Sequence, residues 1–212
     1  MTQLAMQTEM DDYTVEYMKK AMFENGTAQL TASDTFSDID LDWGADSNLK
    51  KRRPHEKNEG WFWDGEGSAE GITWGGCLES IDAMLQHDIQ IPSLEQFKEI
   101  ILFTETSEEI PAGADVSKFY RALGERGILE RVQGILVGRP KAWSLDDQRT
   151  PGERQRYREE QREAITAAVR EYNKTIPIVQ NMDFGHTNPQ IPIPYGKMCR
   201  IDGSKKVISC DF

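Results

Sequence analysis

The chain is poor in cysteine, with only Cys77, Cys199 and Cys210 among 212 residues. Thiols so few and so scattered exclude a disulfide framework, although Cys199 and Cys210 flank a hairpin turn at DGSKK and can face each other. No C-x-x-C and no H-E-x-x-H occurs, so local metal-ligand spacing is missing and no metal or other cofactor is expected. No apolar run approaches the ~20 residues of a membrane span. The segment MTQLAMQTEMDDYTVEYM lacks a basic start followed by an apolar core, so no signal peptide and no membrane partner are expected, and the cytoplasm is the expected location. Positive charge is short as well: 25 Lys and Arg stand against 36 Asp and Glu, a net charge of −11. That balance excludes a general nucleic-acid binder, which needs a basic face to displace counterions. None of the eleven serines has G-x-S-x-G spacing around it.

What remains is a soluble globular pattern, 38% hydrophobic and 29% charged. Residues 11–24 place Tyr13, Tyr17, Met18, Ala21 and Met22 on one helical face, which needs a surface to pack on. Strand-like pieces follow at 27–32 and 38–43, then a polar loop whose run Lys50 to Arg53 can attract an anion. GWFWDGEGSAEGITWGG (60–76) alternates as a hairpin would. GEGSAEG within it has no lysine and leads into a strand, unlike a phosphate loop. A helix starts after the double glycine at 75–76. EIILFTE (99–105) and VQGILVG (132–138) are buried strands. The stretch 115–129 is a helix with Val116, Phe119, Tyr120 and Leu123 on one face. In the helix over 150–174, Thr150 and Glu153 form a capping box with Pro151 in the first turn. Its buried stripe is Tyr157, Ala164, Ile165, Ala168 and Tyr172. TIPIV is a short strand, and KMCRID with KKVISCDF forms a hairpin. Strands alternating with helices predict an α/β fold with a mixed sheet and flanking helices.

His186 is one of three histidines and lies in a turn after a strand. Glu105 stands at the end of another strand. The ends of parallel strands are where such folds collect functional residues. Together the two side chains would make the carboxylate and imidazole of a triad, the carboxylate fixing the tautomer and the imidazole taking a nucleophile's proton. Glu108 and Glu109 compete with Glu105 for that role.

Three stretches, in order between residues 69 and 196, resemble the LD-carboxypeptidase and microcin C immunity family of serine peptidases. They are EGITWGGCLESI, ILFTETSEEIPAGADVSKFYRALGERGILERVQGILVGRP and IPIVQNMDFGHTNPQIPIPYG. The tryptophan-bearing segment before the double glycine looks more like the microcin C immunity branch than the murein tetrapeptide branch. The resemblance implies a swivelling β/β/α-type C-terminal domain and a Ser–His–Glu triad in which Glu105 and His186 match the glutamate and histidine. The family's serine sits on a sharp turn of a separate N-terminal domain, in a GxSD-type motif that does not occur here. Residues 1–26 are therefore expected to be the connecting helix from a missing nucleophile domain, and 27–212 the C-terminal domain. Two positions depart from the family pattern: Cys77 replaces the usual asparagine after the double glycine, and Thr104 stands where leucine is common.

The implied substrate is a cell-wall LD-peptide or an aminoacyl-nucleotide conjugate. Trp43, Trp61 and Trp63 are candidate substrate-binding residues, since an exposed indole can stack on a nucleobase; Trp74 is a further candidate for packing. A homodimer is expected, because a domain separated from its nucleophile half would expose apolar surface. Two rival readings stand beside this one. Cys77 at a helix N-terminus can itself be the nucleophile, or the chain can be a non-catalytic dimerisation or ligand-binding module.

Overall fold

The computed structural model describes residues 10–42 and 44–212. Helix α1 (Asp12–Phe23) leads into strands β1 (Thr27–Leu30) and β2 (Thr35–Phe36); β3 (Glu56–Lys57), β4 (Phe62–Asp64) and β5 (Ser68–Cys77) follow. Helices and strands then alternate as α2 (Leu78–His87), β6 (Ile100–Glu105), α3 (Gly113–Glu125), β7 (Gly134–Gly138), α4 (Pro151–Tyr172) and β8 (Ile178–Met182). The hairpin of β9 (Met198–Asp202) and β10 (Val207–Asp211) comes last. Eight strands form one sheet in the order β1-β10-β9-β5-β6-β7-β8-β4. β5 to β8 run parallel in its middle, and β4 on one side and β9, β10 and β1 on the other run antiparallel. This is the mixed α/β sheet with flanking helices that the alternation predicts.

Both faces of the central strands are covered. Ile100 and Leu102 of β6 join the core under α2, α3 and α4, together with Val116, Phe119, Tyr120 and Leu123. Their neighbours Ile101 and Phe103 join a second core with Tyr17 of α1, Leu136, Val179 and Phe184. The period of two sends successive side chains to opposite cores. Strands buried on both sides read as unbroken apolar runs, which is why EIILFTE and GILVG are the plainest strand signals in the chain. The capping box at Thr150 and Glu153 forms as the sequence predicts, with Pro151 in the first turn. Thr104, one of the two departures from the family pattern, has a local reason: its hydroxyl and that of Tyr120 on α3 are 2.6 Å apart in the buried core, and each satisfies the other.

Two expectations are corrected. The segment 60–76 is not a hairpin: β4 pairs with β8 and β5 with β6 and β9, so the two lie far apart in the sheet. Its glycine turn carries the chain past the loop before β8, with Gly65 close to the Ile176 carbonyl. Of the strand expected at 38–43, the described residues 38–42 form none. The inward residues there are carboxylates drawn to buried cations: Asp38 accepts from Arg158 at 2.9 Å, and Asp40 pairs with Lys141 and Arg53. Within the run at 50–53, Arg53 is buried against Asp40. The apolar stripe of α1 is half covered, in keeping with the expected exposed apolar surface: Tyr17 is buried, whereas Met22 is 62% exposed.

Asp183 lies just past β8. It is fully buried and bonds Arg139, also fully buried, at 2.7 Å. Its oxygens also accept from the Ser33 hydroxyl at 2.6 Å, the Ser33 amide at 3.1 Å and the Trp61 indole at 2.9 Å. Phe36 lies under two guanidinium groups, with Arg139 4.4 Å and Arg158 5.0 Å from its ring centre. The pair thus ties residues 31–61 to the ends of β7 and β8. Removing one partner of a buried ion pair strands the other charge and costs about 3–5 kcal/mol. Asp183→Ala is therefore expected to lower the unfolding free energy by roughly that amount in urea titrations and to alter Trp61 emission. Arg139→Met combined with Asp183→Leu is expected to cost less than Asp183→Ala. An unfolding midpoint unchanged by Asp183→Ala would contradict this account.

Candidate functional site

Glu105 ends β6 and His186 sits in the turn after β8, so the topology brings them to the same edge of the parallel strands. Their contact is short: Glu105 Oε2 lies 2.7 Å from His186 Nδ1. The close approach depends on two glycines. A Cβ on Gly185, where φ is +99°, would stand 2.7 Å from Glu105 Oε2, and one on Gly138 would stand 2.9 Å from the Glu105 Cβ. Any larger residue at either position would push the carboxylate from its seat.

The histidine turn is fastened from several directions. Asp183, three residues before His186, holds the buried ion pair. Ser37 and Asn188 exchange backbone hydrogen bonds of 2.7 and 2.9 Å, and the Gln190 amide donates to Thr14 of α1 at 2.9 Å. Phe184 meets Phe103 edge to face, with ring centres 6.2 Å apart. The peptide bond between Asn188 and Pro189 is cis.

Glu105 takes the Nδ1 side of the imidazole, while Glu108 Oε2 stands 2.9 Å from Nε2. Of the competing carboxylates, Glu105 therefore occupies the nitrogen that a triad carboxylate uses, and Glu108 the nitrogen that a nucleophile would use. The hydrogen bond to Glu105 raises the His186 pKa, burial opposes it, and the charges of Glu105 and Glu108 add to the rise. With a carboxylate at each nitrogen, the imidazolium donates on both sides. The neutral ring keeps Nδ1–H toward Glu105 and frees Nε2 as an acceptor, the arrangement a general base requires. Among the described residues, no serine is a hydrogen-bond partner of His186.

Cys77 ends β5 opposite Glu105 in the parallel register. Its thiol donates to Glu79 at 2.9 Å. Burial first, then that hydrogen bond and the charge of Glu105, push its pKa up to about 12. It is therefore a thiol at neutral pH, and the electronegative surroundings are the opposite of those that activate a cysteine nucleophile. Glu79 in turn is held below the usual carboxylate range: burial works against it, but hydrogen bonds from Cys77 and Ser107 prevail.

The candidate tryptophans sit elsewhere. Trp61 is half-buried with its indole nitrogen bonded to Asp183, and Trp63 on β4 is half-buried beside Val179 of β8. Neither contacts Glu105 or His186 through a hydrogen bond. Trp74 is buried edge-on against Phe97, and Trp43 lies outside the described residues. Glu108 as a second carboxylate on His186, and Asp183 as the anchor of its turn, were not assigned from sequence. The only local signal for Asp183 is its place in the DFGH stretch.

Comparisons with known proteins agree with this architecture. The model of the LD-carboxypeptidase C-terminal domain matches residues 70–201, more than half of the chain. A Treponema pallidum (strain Nichols) protein named as a candidate carboxypeptidase is 29% identical over 198 residues, covering 93% of this chain and 52% of that protein. The microcin C7 self-immunity protein MccF of Escherichia coli is 24% identical over 190 residues, covering 88% of this chain and 49% of that protein. The solved structure of an MccF-like protein from Streptococcus pneumoniae, in complex with AMP, superposes with a TM-score of 0.79 at 26% identity. It covers 98% of this chain and 60% of that one. The chain thus spans about half the length of the curated relatives it matches. On the match over residues 70–201, the chain belongs to the LD-carboxypeptidase C-terminal domain family.

Proposed function

We propose that this chain supplies the glutamate and histidine of a Ser–His–Glu triad in a carboxypeptidase-like amide hydrolase, and that the serine comes from polypeptide outside these 212 residues. The observation that carries the reading is the 2.7 Å contact between Glu105 Oε2 and His186 Nδ1 at the end of the parallel strands. In this reading residues 1–26 connect the nucleophile domain to the domain at 27–212. His186 takes the serine proton at Nε2 as the hydroxyl oxygen attacks the amide carbonyl, then returns it to the leaving nitrogen. Glu105 fixes the tautomer and stabilises the imidazolium without taking the proton. Glu108 must leave Nε2 before the serine can approach. The substrate class is a peptide or an aminoacyl-nucleotide conjugate; the AMP held by the Streptococcus pneumoniae neighbour supports the nucleotide arm.

The chain alone is expected to turn over neither an LD-tetrapeptide nor an aminoacyl-sulfamoyl adenosine. When a serine-bearing domain is supplied, His186→Ala is expected to lower kcat by about 10,000-fold or more, and Glu105→Gln by less. Near-normal kcat in His186→Ala would remove His186 from the mechanism.

The charge state of His186 gives a test on the chain by itself. Its NMR titration midpoint is expected above the ordinary value near ~6.5. Glu105→Gln is expected to bring it down more than Glu108→Gln does, because the Glu105 hydrogen bond is the largest cause of the rise. The stability this histidine contributes is complete below its unfolded pKa and is lost as pH rises through the folded one. The rate has the opposite slope, because the base must be neutral: activity of the completed enzyme is expected to rise with pH through that same folded value. A midpoint at or below the ordinary value would rule out the two-carboxylate environment.

A further inference from the structure

The second core contains a pair of nucleophiles that the proposed triad does not use. Cys199 of β9 and Cys210 of β10 are directly opposed in the antiparallel register. Their Sγ atoms are 2.8 Å apart, and both side chains are fully buried. Both are free thiols. Directly opposed residues of an antiparallel pair hold their Cβ atoms about 4.5–5.5 Å apart, and a disulfide needs about 3.5–4.5 Å. The register therefore already supplies most of the required geometry. The sulfurs need to close by less than about 1 Å to reach the S–S bond length of about 2.05 Å.

We propose that Cys199 and Cys210 are a disulfide site: a peroxide oxidises them to a cross-strand bond that staples the β9-β10 hairpin at the side of the sheet that ends in β1. In the first step one thiolate attacks a peroxide oxygen, giving a sulfenic acid and hydroxide, which leaves as water. In the second step the other sulfur attacks the sulfenic sulfur, the S–O bond breaks and a second water leaves. Two thiols lose two protons and two electrons, and the peroxide is reduced to two waters. The sulfenic acid has its resolving thiol already in contact, so the bond forms before further oxidation.

Access sets the pace. The hydrogen bond to Cys199, then burial, hold the Cys210 thiol protonated, so the native sheet shields the pair. The shield is thin at one place. β1 is a four-residue edge strand, and its Ala28 is the register partner of Cys210. Short edge elements open at low free-energy cost, and such an opening uncovers β10. This site is independent of the proposed triad, on a different strand pair from Glu105 and His186.

The test uses the full chain carrying Cys77→Ser, so that only the pair remains. The native protein is incubated with hydrogen peroxide until its free-thiol content is constant, then quenched, unfolded, alkylated with iodoacetamide and mapped by mass spectrometry. The expected product is a linked Cys199–Cys210 peptide, lighter by two hydrogens and reopened by dithiothreitol. The oxidised protein is expected to melt at a higher temperature than the reduced one, and the Cys77→Ser/Cys210→Ala chain to show neither the link nor the shift. Two alkylated cysteines, sulfinic acid in place of the link, or a link that leaves the melting temperature unchanged or lower would each overturn the proposal. None of these outcomes bears on hydrolysis, so the triad reading stands or falls separately.

Discussion

The buried pair of Asp183 and Arg139 is the constraint on which the rest of the functional edge depends. Two full charges without solvent contact persist only because every direction around them is filled by a partner. Arg139 comes from the end of β7 and Asp183 from the end of β8, and Ser33 and Trp61 reach in from the long irregular segment. That segment, residues 31–61, has little regular structure of its own. It is held by charge: Asp38 on Arg158, Asp40 on Lys141, Glu56 on Arg154. The histidine turn begins at the same aspartate. A network that keeps a loop in place therefore also fixes where the imidazole stands.

The acidic balance of the chain takes on a local meaning here. Four of its cations, Arg139, Lys141, Arg154 and Arg53, are buried. The carboxylates that pair with them are fewer than the carboxylates left at the surface and around His186. The imidazole itself stands between Glu105 and Glu108, with the charge of Lys141 opposing theirs, and Glu79 lies beside Cys77. The hydrogen bond to Glu105 is the largest cause that raises the histidine, whereas burial is the largest cause that suppresses the cysteine, and the charge of Glu105 adds to both.

Legibility in the sequence followed the physics of each element. Strands buried on both faces, the capped α4 and the one-sided α3 are written in apolar period and cap chemistry, and the structure has them where the residues predict. Glu105 and His186 were legible as strand-end residues and by resemblance, and the structure brings them into contact. What failed was inference from alternation alone. The acidic alternation at 38–43 looks like a strand because inward carboxylates and inward apolar side chains leave the same pattern when partners are unseen. The segment 60–76 looks like a hairpin because pairing partners are nonlocal, and nothing in FWDGEGS says that β4 will travel to β8. Arg154 and Gln161 on the inner face of α4 were missed for the same reason: their partners, Glu56 and the Pro111 carbonyl, lie on distant loops.

The hydrogen bond from the Gln190 amide to Thr14 has a mechanical consequence. Thr14 is on the buried side of α1, and Gln190 is four residues past His186 in a turn braced at Asp183 and Ser37. The helix and the turn are therefore fastened to each other. Helix α1 cannot shift at Thr14 without breaking this bond or carrying with it the turn that holds His186. One hydrogen bond thus joins the histidine turn to a helix whose first turn lies more than 170 residues away in sequence.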